Sequence, residues 1–195
     1  MKKHAKHDKF INNKRILLAM KQEKIETPPY ELPLVYGLAY RFDKYDKLIL
    51  KELDENARKS LSELSKKVGL SRDAIRNRIN KMVKAKVISA FMPIYNPPNM
   101  GFPIINYVFI SLYNPSEEKE KEFLKFLKNN KYVTYVASLI GKWDYIIDIM
   151  AENQGQFDKI MKSIRQKFPD MIKDYEVYGV LQEYKYEEMG KLVYE

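Results

Sequence analysis

SRDAIRNRINKMVKAKV, residues 71–87, places Ile75, Ile79, Met82 and Val83 at i, i+4, i+7 and i+8, which is one face of an α-helix. The other faces carry Arg72, Arg76, Arg78, Lys81 and Lys84, with Asn77 and Asn80 among them and Asp73 the one opposing acid. A short helix with one buried stripe and a basic, amide-bearing outer face suits the DNA major groove. There guanidinium and amide groups can hydrogen-bond base edges. The same periodicity also describes a solvated charged face, so the neighbouring residues have to decide.

Working backwards, Ser60 and Glu63 fit S-x-x-E, a capping box that starts a helix, and Leu61, Leu64 and Val68 give that helix a core face. Gly69 stops it as a C′ residue, Leu70 follows, and Ser71 caps the next helix. Two helices joined by about three residues containing Gly read as a helix-turn-helix. An earlier helix is expected from Asp43, with Asp46 at N3 and a stripe of Tyr45, Leu48, Ile49 and Leu53, ending near Arg58. Val87–Phe91 reads as a short strand behind the basic helix.

Taken together, Tyr45–Leu50, Asn56-Ala57-Arg58, Glu63-Leu64, Val68-Gly69-Leu70-Ser71, Arg78-Ile79 and Val87-Ile88 resemble the winged-helix reader of the Lrp/AsnC family. These are the leucine-responsive, or feast/famine, transcription regulators of bacteria and archaea. The order and spacing of so many elements make the likeness specific, and it favours DNA reading by residues 71–87.

Charge agrees. The chain has 195 residues and a net charge of +9, but residues 1–24 and 43–90 each carry +6, whereas residues 101–195 carry −2. The basic excess lies where a polyanion would dock. Cys is absent, which excludes disulfides and thiolate metal sites. No apolar run approaches a membrane span and the basic N-terminus lacks a secretory apolar core. A cytoplasmic protein with no membrane partner is expected. Residues 1–42 read as a basic extension, helical from about residue 8, and a Pro-rich connector over 27–37. His4 and His7 lie in that extension, a weak metal signal, and no metal or cofactor is implied.

The second half changes character. Pro93, Pro97, Pro98, Asn99 and Gly101 mark a linker over 93–103, after a reader spanning 43–92. Residues 104–113 are β-rich, 116–130 helical, 132–140 and 143–150 β-rich about Gly141-Lys142, 154–168 helical and 171–181 a last strand. The order βαββαβ is ferredoxin-like. The fold class expected is therefore α+β, a winged helix-turn-helix of three helices plus short strands followed by a ferredoxin-like domain over 104–187, with a tail at 188–195. Helices cover one face of such a sheet; the other needs a partner, most simply a second copy of the chain. The Lrp/AsnC likeness extends here, since the family carries such a regulatory domain, called RAM. It implies dimers that often assemble into tetramers and octamers.

If the helix within residues 71–87 enters the major groove by its N-terminal end, Arg72, Asp73, Arg76, Asn77 and Asn80 are placed to meet bases or nearby phosphates, while Ser71 caps the helix start, where backbone N–H groups can also meet phosphate. Lys81 and Lys84 suit phosphates, which position a protein without specifying sequence. Arg78 lies beside the buried stripe, and an internal ion pair or a phosphate contact are both open to it. In the second half Gly141-Lys142-Trp143-Asp144 resembles the G-x-x-D turn around which the family binds small effectors, usually amino acids. Tyr175 and Val177 align with its small hydroxyl positions on the last strand, but a phenol and an isopropyl group leave less room and fewer donors.

The likeness also admits the sirohaem decarboxylases, which share the two-domain fold but use His and Arg in the C-terminal half. Residues 91–195 contain no His, and no catalytic residue can be nominated. A DNA-binding regulator responding to a small effector is thus the expected function. An architectural protein that binds double-stranded DNA with little sequence choice is the alternative.

Overall fold

A computed structural model describes residues 39–185 and 189–195, which form two compact units. The basic arm, its expected helix, the Pro-rich connector and both histidines lie outside the described residues.

The first unit, described over residues 39–93 and 189–195, has three longer helices among its described residues: α1 (Lys44–Glu55), α2 (Leu61–Val68) and α3 (Arg72–Lys84). Their starts follow the sequence. Asp43 accepts the N–H groups of Tyr45 (2.8 Å) and Asp46 (2.9 Å), and Asp46 accepts that of Asp43, an acidic capping box. Ser60 and Glu63 exchange bonds in the same way at α2. Gly69 closes α2 at φ 78°, a left-handed conformation that costs Gly little. The core joins Ile49, Leu50 and Leu53 to Leu64, Val68, Ile75, Ile79, Met82 and Val83.

Three expectations need correcting. Leu48 is 42% exposed and Leu50 takes its place in the stripe, so the buried face of α1 is rotated. Helix α1 also ends at Glu55 rather than near Arg58, because Asn56 turns to an extended conformation. Val87–Phe91 pairs with no strand among the described residues. The N–H groups of Val87 and Ile88 instead fold back to the Met82 carbonyl, and that of Lys86 to Val83, with Lys86 at φ 58°. This is a Schellman closure with Lys in place of the usual Gly, and Val87, Ile88 and Phe91 pack half-buried against the helices.

The C-terminal residues are not a tail. Lys191–Tyr194 forms one helical turn, α6, numbered after the second unit's two helices, and Val193 and Tyr194 pack on the reader core. Tyr194 donates its hydroxyl to Asp54 at 3.0 Å. The turn approaches α1 so closely that a Cβ on Gly190 would lie 2.1 Å from an Asp54 carboxylate oxygen.

The second unit, Ile94–Tyr186, begins with a 3-10 turn at Pro98–Met100 and continues β1 (Ile104–Leu112), α4 (Glu117–Asn129), β2 (Val133–Ser138), β3 (Tyr145–Ala151), α5 (Gln154–Lys167) and β4 (Ile172–Gly179). The strands form one antiparallel sheet in the order β2-β3-β1-β4, the ferredoxin-like arrangement. Val108 and Ile110 of β1 and Ile147 and Ile149 of β3 face the helices and pack on Phe123, Leu127, Phe157, Ile160 and Ile164. Strand alternation puts Tyr107, Phe109, Ile146, Asp148, Met150, Glu176 and Tyr178 on the other face. Asp148 is buried there beside Thr134, which donates to it at 3.0 Å, and burial pushes its carboxyl above the usual range.

Candidate nucleic-acid interface and effector turn

The two faces of α3 do different work. Ile75, Ile79, Met82 and Val83 are buried; Arg72, Asp73, Asn77, Lys81 and Lys84 are exposed, with Arg76 and Asn80 half-buried between them. Ser71 is engaged as the N-cap, its hydroxyl accepting the Ala74 N–H at 3.2 Å. It is exposed at the helix start, where backbone N–H groups also point outward.

The arginines separate by partner. Arg78 Nη1 donates at 2.7 Å to Asp43 and at 2.7 Å to Asp46, and its guanidinium lies 5.3 Å from the centre of the Tyr45 ring. Asp46 is 3% exposed, so Arg78 is the counter-charge of a buried carboxylate and ties α3 to the start of α1. Of the two uses open to Arg78, the geometry is that of an internal ion pair. The N–H of Asp46 and the Arg78 guanidinium hold the Asp43 carboxyl below the usual range, and bonds to both carboxylates raise Arg78 further. Arg76 bonds to its own helix: its Nη2 donates to Asp73 Oδ1 at 2.7 Å.

Lys81 sits with Nζ 5.3 Å from the centre of the Tyr40 ring, a cation–π contact. Sequence reasoning passed over Tyr40, Asp43 and Asp46 as determinants of the reader. The signal for the acids was present, since both cap α1, but their second role depends on how α1 crosses α3.

In the second unit Gly141-Lys142-Trp143-Asp144 lies in a six-residue connection, 139–144, longer than the two residues, Gly141-Lys142, expected between the β-rich stretches 132–140 and 143–150. The Leu139 N–H donates to the Asp144 carbonyl (2.8 Å) and that of Asp144 to the Ile110 carbonyl (2.9 Å), so the backbone of Asp144 is tied to the end of β2 and to β1. Gly141 takes φ 140°, where a side chain would be strained. Asp144 Oδ2 accepts the Leu112 N–H at 2.6 Å, and Lys142 Nζ pairs with Glu176 at 3.0 Å while lying 4.3 Å from the centre of the Trp143 ring. Much of the turn's polar chemistry is therefore engaged within the chain.

Tyr175 and Val177 do not join this turn. They occupy the helix-covered side of β4, where the Arg165 guanidinium lies 5.5 Å from the centre of the Tyr175 ring, whereas Lys142 meets Glu176 on the opposite side. Tyr175 lines a cavity of about 170 Å³ with Arg165 and Phe168, and a groove of about 540 Å³ opens between Tyr132, Gln156 and Lys159. Neither is lined by residues 141–144.

With this geometry in place, comparison with known proteins is specific. Residues 42–83 match the model of the AsnC-type helix-turn-helix domain, and residues 106–189 that of the Lrp/AsnC ligand-binding domain. The HTH-type transcriptional regulator Ptr1 of Methanocaldococcus jannaschii is 32% identical over 105 residues, covering 53% of this chain and 68% of that protein. The solved structure of E. coli AsnC superposes with a TM-score of 0.67 at 25% identity, over 77% of this chain and 99% of that one. A Neisseria meningitidis regulator solved with L-Met shares the fold at a TM-score of 0.68 and 21% identity, over 76% of this chain and 95% of that one.

Proposed function

The chain belongs to the Lrp/AsnC family of transcription regulators, and on that premise we propose that α3 enters the major groove and selects an operator sequence. The observation that carries this reading is the division of α3 into a buried apolar stripe and an exposed row bearing Arg72, Asp73, Asn77, Lys81 and Lys84, with Arg76 and Asn80 at its margin. Arg76 and Asn77 are the base readers, Arg and Asn having the donors that guanine and adenine edges accept. Lys81 and Lys84 neutralise phosphates, and Ser71 offers the helix start to the backbone. Binding-site selection from randomised duplexes tests this reading. A short palindromic consensus supports an operator-reading regulator, and its absence marks an architectural DNA-binding protein.

The regulator acts as a cytoplasmic homodimer joined through the sheet face that α4 and α5 leave uncovered. Tyr107, Phe109, Ile146 and Met150 lie on that face, and a two-fold axis sets such a surface against itself. Tetramers or octamers follow from further contacts between dimers. Sedimentation of Phe109→Glu tests the dimer: dissociation supports it, and an unchanged mass contradicts it.

A small effector, of the amino-acid class, binds at the 141–144 turn. The ligand-binding-domain match over 106–189 and the open Gly141 backbone support this. Asp144 Oδ2 already holds the Leu112 N–H, so Oδ1 is the oxygen offered to an ammonium group. Thermal shift with the twenty amino acids tests the site; no stabilisation by any at millimolar excess contradicts it.

A further inference from the structure

We propose that Asp73 is a positioning residue for base recognition: it holds the Arg76 guanidinium in one orientation, so that Arg76 selects guanine rather than contacting any phosphate within reach. The inference rests on α3 entering the major groove.

Residues three apart on a helix share a side, and Asp73 is the acid that faces Arg76. The Nη2–Oδ1 distance of 2.7 Å is that of a charge-assisted hydrogen bond. The arginine is well packed, its side chain 17% exposed against 77% for that of Asp73, so the carboxylate holds the guanidinium from the solvent side. A guanidinium has five N–H groups, and one bond to Asp73 leaves four. Two of these, parallel on the fork, match O6 and N7 of guanine. An unrestrained arginine at the same place would sample phosphates and bases alike and lose more rotamer freedom on binding.

Two features separate this role from a local structural one. The Ala74 N–H is already taken by Ser71, so Asp73 is not the N-cap of α3; as the acid in the first turn it also complements the helix dipole, a charge that Asp73→Glu keeps. Its negative charge at a DNA-facing position also opposes every phosphate. That charge lowers affinity for all sequences, while the bond to Arg76 raises discrimination among them. Arg78 shows the contrast: two carboxylates bind it, one of them buried, and it is committed to the fold.

The test is binding-site selection and competition titration with the full chain and Asp73→Ala, Asp73→Asn, Asp73→Glu and Arg76→Ala. Wild type should select one guanine per half-site that Arg76→Ala no longer selects. In Asp73→Ala and Asp73→Asn the preference for that guanine should fall about tenfold, while affinity for random-sequence DNA holds or rises. Asp73→Glu, able to reach Arg76 across one turn, should keep the preference. If the Asp73 variants keep the guanine that Arg76→Ala loses, Asp73 does not position Arg76. If Arg76→Ala selects the same sequences as wild type, the groove reading itself is wrong.

Discussion

Helix α3 and the 139–144 connection both present motifs that suit a ligand, and they use their polar groups in opposite ways. On α3 the buried face is wholly apolar, and the polar row stands outside it, with Arg76 bonded to Asp73 on the same helix. In the connection, Asp144 closes the end of β1 and Lys142 is bound to Glu176. On α3 the apolar stripe faces the core and the row of polar side chains lies outside it, exposed or at its margin. The connection is first a structural corner, and any effector must share groups the sheet already uses. Arg78 shows the same contrast within α3, since it belongs to the fold and not to the reading row.

The largest effect that would sharpen this contrast is at Arg78. Arg78→Ala leaves Asp46 buried without its counter-charge and should cost the reader about 3 kcal/mol, read as a loss of thermal stability. Arg76→Ala removes a packed side chain but strands no buried charge, so it should lower the melting temperature less than Arg78→Ala does. The pair is also proton-linked. The folded pKa of Asp43 lies below its ordinary value of 3.8, so its contribution is complete above that value and is lost as pH falls through the lower folded value. Acid melts below about pH 4 should therefore be steeper for wild type than for Arg78→Ala; parallel curves would mean that Arg78 contributes nothing to the linkage.

Next in size, Arg76→Ala and Asn77→Ala should each weaken binding to a selected operator by roughly 1–3 kcal/mol while leaving random DNA less affected. Equal losses on both would turn these residues into phosphate contacts. Asp144→Ala should destabilise the second unit by about 1 kcal/mol even without effector, because the Leu112 N–H loses its acceptor. If melting without effector is unchanged and only an amino-acid shift is lost, Asp144 is a ligand group before it is a structural one. Smallest is Lys84→Ala, expected to weaken all sequences alike and to reduce the slope of log affinity against log salt by about 1.

Much of this was legible in the sequence, for a physical reason. Helix starts are local: Asp43 with Asp46, Ser60 with Glu63 and the N-cap at Ser71 act over three residues, and the buried stripe of α3 follows from helix geometry alone. The order of strands and helices in the second unit was equally readable from alternation. What escaped depends on distant partners. The state of Asp144 is set by Leu112, thirty-two residues away, and that of Arg78 by Asp46, again thirty-two residues away. The strand expected at Val87–Phe91 needed a pairing edge, and its first N–H groups were taken by Met82. The C-terminal turn at Lys191–Tyr194 is too short to announce itself by periodicity and is held by contacts with α1.

Methylation interference on a selected operator tests the reading face of α3 most directly. Dimethyl sulfate places a methyl group on guanine N7 in the major groove, the atom an arginine fork engages. Methylation of one guanine per half-site should block wild-type binding and should have no further effect on Arg76→Ala. If methylation of no guanine in the operator interferes, or if Arg76→Ala is blocked at the same guanine as wild type, the assignment of Arg76 to the major groove is contradicted.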